Sequence, residues 1–295
     1  MPPVLTTLGF GIQTASILAI AAVGFTVQFG VTNVLNLAYG DVMTASAFAA
    51  YSLAGLGLGG WWGLLVGGLF GAVFSFALNR FLYAPFIRRG ASLFVMIIVT
   101  ISVSLILQNL LQAIWGSNFV SLQLSPGATI HPLGMVFTVS QLYIVLIAIV
   151  CLLAFHGLLT LTKLGKAMRA TAADPELARN SGIDTRRITS LAWLLSGFLC
   201  GLAGVALTLE IGSFDSSTGA ALLVPIIAAA VLGGVGHPYG AMLGALVIGI
   251  ATEYAATIIS PTYKDAVAFA VLIVMLLVRP QGLLAEVATT KAVAA

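Results

Sequence analysis

The side chains able to do chemistry in this sequence are few, and they are poorly placed for catalysis. His131, His156 and His237 are scattered without metal-ligand or triad spacing, and Ser196-Gly197 is not part of a G-x-S-x-G elbow, so a membrane hydrolase has no support. No G-x-x-x-x-G-K-[ST] loop occurs; Gly165-Lys166 lacks the upstream glycine and is followed by Ala167, so the chain cannot cradle ATP by that motif. Cys151 and Cys200 fall inside apolar runs and read as small buried hydrophobes, implying neither a disulfide nor a metal pair. What remains is a set of amides and carboxylates in apolar surroundings. Gln28, Asn33, Asn36 and Asp41 concentrate in one stretch, and Gln108, Asn109 and Gln112 close a later run. An intramembrane carboxylate costs a few kcal/mol, so it faces a cavity, a partner or an interface. Asp41 reads first as a helix-start residue at a surface and second as such a cavity group; Glu253 poses the same question, and His156 reads as a polar tip at an interface.

The elements that position these groups are membrane spans. With 60% hydrophobic and 7% charged residues and a mean hydropathy of +1.12, the 295-residue chain is not a water-soluble domain. Apolar runs long enough to cross about 30 Å of hydrocarbon recur near Leu8–Phe29, Leu37–Leu56, Trp61–Phe81, Ser92–Ile114, Val139–Leu161, Thr189–Glu210, Ala221–Val235, Gly240–Ile259 and Asp265–Val278. The expected fold is an all-α integral membrane protein, a polytopic bundle of about eight to ten transmembrane or half-membrane helices with an internal repeat. Ala221–Val235 is short enough to be half a helix. No basic n-region precedes the first run, which therefore reads as a retained span. Arg80, Arg88, Arg89, the six basic residues of the central loop, Arg279 and Lys291 fall on one side if the spans alternate, which makes that side cytoplasmic; Lys264 is the exception. The uncharged connection Trp115–Thr138, with Pro126, Gly127 and Pro132, would face outward. The net charge of +3 gives no reason to expect a nucleic-acid partner.

One stretch reads like a soluble protein. Lys163–Arg187 holds six basic and three acidic residues, whereas Gly90–Thr162 before it holds no charge. Lys166–Ala173 suits a helix; Asp174 can then cap a second one, Pro175 suits its first position and Glu176 complements its positive end. Gly182 supplies a left-handed stop. The result is two short helices with a sharp corner, presenting Leu177, Ala178 and Ile183 as apolar knobs, or else a plain solvated connector.

Close helix packing is expected from Gly63, Gly67 and Gly71, with Ser75 and Asn79 continuing that face, and from Gly197/Gly201 and Gly240/Gly244. The break at Leu37-Ala38-Tyr39-Gly40-Asp41 is echoed at His237-Pro238-Tyr239-Gly240; paired breaks in two halves often mark a transporter's path.

Four stretches together resemble the LivH-type permeases of branched-chain amino-acid ABC importers: GFTVQFGVTNVLNLAYGDVMTASAFAAY, GKAMRATAADPELARNSGID, VLGGVGHPYGAMLGALVIG and VLIVMLLVRPQGLL. Glu176-Leu177-Ala178 followed by Gly182 is similar to the E-A-A-x-x-x-G core with which importer permeases dock on their ATPases, without the later part of that signature. Family members often carry histidine at Tyr39 and glutamate at Asp41. The resemblance implies a single permease domain over 1–295, with 163–187 as its cytoplasmic coupling loop and 279–295 as a cytoplasmic tail, in a bacterial inner membrane. It implies ATP-driven alternating access for branched-chain or other hydrophobic amino acids, or for urea, short amides or small carboxylates. It also implies no cofactor, a homologous second permease, two cytoplasmic ATPase subunits and an extracytoplasmic solute-binding protein. Coupling falls to Asp174, Pro175, Glu176, Leu177, Ala178, Arg179, Gly182 and Ile183, and the path to Gln28, Asn33, Asn36, Asp41 and Gln108. A stand-alone channel or carrier fits the bundle but leaves the charged loop without a role.

Overall fold

A computed structural model describes residues 4–55, 60–122, 129–130, 137–278 and 282–284. The apolar runs become α1 (Val4–Thr32), α2 (Tyr39–Ala54), α3 (Gly60–Ala77), α5 (Leu93–Trp115), α6 (Val139–Leu161), α9 (Thr185–Ile211), α10 (Thr218–Gly233), α11 (Pro238–Ile258) and α12 (Lys264–Val278). α3 runs on through a π-helical stretch, Leu78–Tyr83, into the short α4 (Ala84–Arg88). The charged loop forms α7 (Lys163–Ala173) and α8 (Pro175–Asn180). The only ladder among the described residues pairs Thr129–Ile130 (β1) with Phe137–Thr138 (β2), in the connection between α5 and α6. Pro126, Gly127, Pro132, His131, Arg279 and Lys291 lie outside the described residues.

Seven described stretches are long and apolar enough to span a membrane. α2 and α10 are not: at 16 residues each they reach about 24 Å, less than the roughly 30 Å of hydrocarbon. With them the bundle has the expected number of membrane-embedded helices. On α5, α6 and α12, exposed Leu105, Ile106, Leu153 and Leu277 form surfaces suited to lipid tails. Trp61 stacks edge-on against Tyr143 at the end opposite the charged loop, as interfacial aromatics do.

The two short helices organise the interior. α1 ends at Thr32, and Asn33 then takes φ +52, a left-handed conformation that asparagine tolerates better than most residues. The chain turns back so that Tyr39, the first residue of α2, donates its hydroxyl to the carbonyl of Ala21, about three turns inside α1. α2 therefore starts deep in the bundle. α10 also starts deep, because Gly219 donates its amide to the Thr44 hydroxyl in α2 and lies backbone to backbone against Gly40. From this crossing the helices run apart. α2 ends near Trp115, whose indole donates to Ser52, while the end of α10 accepts from Leu283 beside Gly236 and Gly30. A Cβ on either Gly40 or Gly219 would strike the other's carbonyl oxygen, so the crossing depends on bare backbone.

This geometry revises the expected pairing of breaks. The counterpart of Tyr39-Gly40 is Thr218-Gly219. Tyr239-Gly240 opens α11 at the charged-loop end, where Gly240 packs on Gly233. Likeness of letters marked a turn of similar local chemistry, whereas the spatial partner shares only a glycine. The glycine series behave as expected: Gly67 and Gly71 of α3 dock on Gly201 and Gly197 of α9, with Ser75 against Gly197.

Candidate translocation core and coupling elbow

The elbow is built as its sequence specifies. Thr162 caps α7 by accepting from the Gly165 amide, and Asp174 accepts from the amides of Glu176 and Leu177 at 2.9 Å each. Pro175 occupies the first turn of α8, and Gly182 ends the corner at φ +85. Asp184 then caps α9 through the amides of Arg186 and Arg187 and pairs with the Arg187 side chain at 3.0 Å. Of the three expected knobs, only Leu177 is presented, at 64% exposure. Ala178 is buried and Ile183 packs against the core, with its amide bonded to the Ala178 carbonyl. On a helical turn this short, one apolar residue faces out while the next anchors the elbow to the bundle. Glu176 and Arg179 are exposed beside Leu177.

Between elbow and bundle lies a half-open cavity of about 870 Å³, lined by Asn33 and the end of α1, by Met168 and Arg169 of α7, by Pro175, and by the turn from Val235 to Tyr239. Arg169 donates to the Leu159 carbonyl at 2.7 Å, tying α7 to the last turns of α6. His156, at an exposed position, meets Tyr239 edge-on at 5.4 Å, in keeping with an interfacial tip.

The five residues expected along a path occupy three places. Gln28, Asn36 and Asp41 are sealed inside, each at 1% exposure or less. Gln28 accepts from the Ser196 hydroxyl, and Asn36 accepts from the Tyr83 hydroxyl at 3.2 Å. Asn33 stands apart, at the mouth of the elbow cavity. Gln108 lies half-buried on α5 and donates to Ser104 one turn earlier. Asp41 does open a helix, but that helix begins in the interior and not at a surface. Both its carboxylate oxygens lack a hydrogen-bond partner among the described residues.

Sequence reasoning missed the buried group that joins Asn36 through the Tyr83 hydroxyl. Tyr83 and Asn79 come from the π-helical stretch, a geometry frequent at functional sites, and both are buried. Trp193 of α9 is wholly buried with its ring 5.1 Å from Tyr83. Only the small-residue face Gly63–Gly71–Ser75–Asn79 hinted that Asn79 points inward. Of the other residues in doubt, Glu253 pairs with Lys264 at 2.5 Å and accepts from Thr14. Lys264, the one basic residue at the far end among the described residues, thus carries its own counter-charge. Cys200 is buried and donates to the Tyr39 carbonyl, and Cys151 is free and half-buried.

Comparison with known proteins places this architecture. Residues 7–276 match the family model described as the branched-chain amino acid transport system / permease component. The chain is 31% identical over 288 residues to the high-affinity branched-chain amino acid transport system permease protein LivH of Salmonella typhimurium, covering 93% of each. The corresponding figures are 30% for LivH of Escherichia coli and 29% for the permease protein BraD of Pseudomonas aeruginosa, again over 93% of each chain. Among solved structures, PsaBC from Streptococcus pneumoniae in complex with Fab aligns with a TM-score of 0.53 at 14% identity, over 93% of this chain and 92% of that one, a likeness of fold alone. With a family model over almost its whole length and relatives matched nearly end to end, the chain belongs to the branched-chain amino acid transport system permease family, whose members are transport subunits and not enzymes.

Proposed function

We propose that this chain carries branched-chain or other hydrophobic amino acids inward as one permease of an ATP-driven importer. The observation that carries the reading is the elbow, an ordered, charged corner with one outward apolar residue, hung between two long spans and backed by a cavity. Caps and Gly182 hold the corner rigid, and an exposed leucine on a rigid, charged corner suits a surface that a partner grips. In this reading the grip is a cytoplasmic ATPase, which takes Leu177 in a groove with Glu176 and Arg179 at its rim and pushes along Asp174–Gly182. α6 enters the elbow and α9 leaves it, so movement there passes to α3 and α2 through the glycine contacts. The whole chain acts as one domain, with 279–295 as a cytoplasmic tail, paired with a second, homologous permease and supplied by an external solute receptor.

The path runs along α5, which packs chiefly on α2 and exposes Ser102, Asn109 and Gln112 beside Gln108. It leaves past Asn33, with Gln28, Asn36 and Asp41 forming the polar ground behind it. Amides on a loosely held helix suit a weakly binding passage, since a pore that grips its solute also releases it slowly.

Reconstitution with ATPases and receptor tests this. Gly182→Pro cannot hold φ +85 and Glu176→Lys reverses the charge beside Leu177, so both variants should keep ATP hydrolysis while amino-acid uptake falls about tenfold or more. Coupled uptake at the normal rate in both variants, or uptake by the chain alone without ATPase, would overturn the reading.

A further inference from the structure

Asp41 lies in the first turn of α2 at 0% exposure, and neither oxygen accepts a hydrogen bond from a described residue. Part of its charge is offset by the α2 N-terminus, worth roughly half an elementary charge; the α10 N-terminus already has Asp215, which accepts from the Thr218 and Ser217 hydroxyls. No described Lys or Arg pairs with Asp41, and Lys264 is taken by Glu253. The surrounding groups are oxygen-rich and uncharged: the Tyr83 hydroxyl bonded to Asn36, and Ser104 and Gln108, whose donors face Asp41 from α5. A buried carboxylate retained without a partner at membrane depth marks a binding function more readily than a structural one, because structure alone would favour its replacement by an apolar residue.

The geometry points to Asp41 as the group that receives the primary ammonium of the solute, with Ser104 and Gln108 as the remaining acceptors. An ammonium donates three hydrogen bonds and carries the missing charge. Gln108 donates one N–H to Ser104 and faces the Asp41 carboxylate as a donor, so its carbonyl oxygen reaches the ammonium once the amide turns over. The site is closed in the present conformation. It opens when α5 separates from α2, and α5 is the helix best able to do so, since it has little other support. The assignment rests on the amino-acid reading above and adds to it that the permease itself discriminates for the amine.

The test uses the purified full-length chain in nanodiscs, without receptor or ATPase, and thermal unfolding as readout. Leucine and isoamylamine, which keeps the amine and lacks the carboxylate, should each raise the melting temperature by about 3–5 °C at roughly tenfold excess over their dissociation constants, and isocaproate, which lacks the amine, should not. Asp41→Asn should abolish the rise, and Gln108→Leu, a change on the partly exposed α5, should weaken apparent amine affinity about tenfold. Equal shifts with isocaproate, shifts that survive Asp41→Asn, or no amine shift would overturn the assignment. So would a rise with sodium chloride over choline chloride that Asp41→Asn removes, which would make the occupant a metal ion. Leucine uptake by the complete importer, measured separately, reports on the transport reading, so the two can fail independently.

Discussion

At the scale of single residues, the distribution of charge is the most informative property. The bundle keeps two kinds of acidic group: Asp41, unpartnered, and Glu253, whose side chain is 14% exposed and held by Lys264 and Thr14, with Glu210 of α9 facing the same lysine. The second kind is structural. Lys264 begins α12, the least buried of the seven long spans, so its pair with Glu253 fastens that helix to α11 and, through Thr14, to α1. Lys264→Met leaves Glu253 and the neighbouring Glu210 in low dielectric without their cation and should destabilise the fold by about 1–3 kcal/mol, seen as a lower melting temperature in detergent. The double variant Lys264→Met/Glu253→Leu should recover part of that loss, because the Glu253 charge is gone while Glu210 of α9, which faces the same lysine, remains. Additive losses would show that the pair has no such role. Both groups stand out in the sequence without being distinguishable there. An Asp at a helix start and a Glu in a span are equally suspect on paper, and only the position of Lys264 eleven residues on, across a tight Ser260–Tyr263 turn, decides Glu253.

At the scale of elements, the spans were legible and their depths were not. Apolar run length locates a helix to within a few residues, as Val139–Leu161 and Leu93–Trp115 illustrate, because twenty-odd apolar residues have few other uses. Nothing in Tyr39–Ala54 says that it starts in the interior. That depth follows from a non-local contact, Gly40 on Gly219, which no window of sequence contains. The elbow was legible for the opposite reason, since caps, Pro175 and Gly182 act over a few residues, although the burial of Ala178 depends on the bundle behind it. The π-helical stretch at Leu78–Tyr83 left no signal of its own. Glycine shows the same division. A Cβ on Gly197 would meet the Gly71 carbonyl and Ser75, both fixed, whereas one on Gly157 in α6 meets nothing within 4 Å. Gly197→Val should therefore cost about 1–3 kcal/mol or more and remove most folded protein from size-exclusion profiles, while Gly157→Ala should leave the profile unchanged or stabilise slightly through helix propensity. Similar losses from both would mean that α3 and α9 are not tightly docked.

At the scale of the whole molecule, the bundle is asymmetric between its ends, and function depends on which end faces the ATP supply. The elbow end collects Arg80, Arg88, Arg89 and the six basic residues of Lys163–Arg187, whereas the far end carries Trp61, Trp62 and Tyr143 and a lysine neutralised by its neighbour. The tendency of basic residues to stay out of translocated segments is the ground for the proposal that the elbow faces the cytoplasm and the bridge between Val120 and Phe214 the outside. Two exposed positions make the orientation measurable: Leu177 on the elbow at 64% and Phe119 in the opposite connection at 71%. In intact cells a membrane-impermeant maleimide should label Phe119→Cys and spare Leu177→Cys, and in inside-out vesicles the order should reverse. The native Cys200 is buried and Cys151 lies within α6, so the unsubstituted chain supplies the background. Labelling of Leu177→Cys from outside would place the elbow beyond reach of any cytoplasmic ATPase. Coupling through Asp174–Gly182 would then fail as a mechanism even though the fold and family stand.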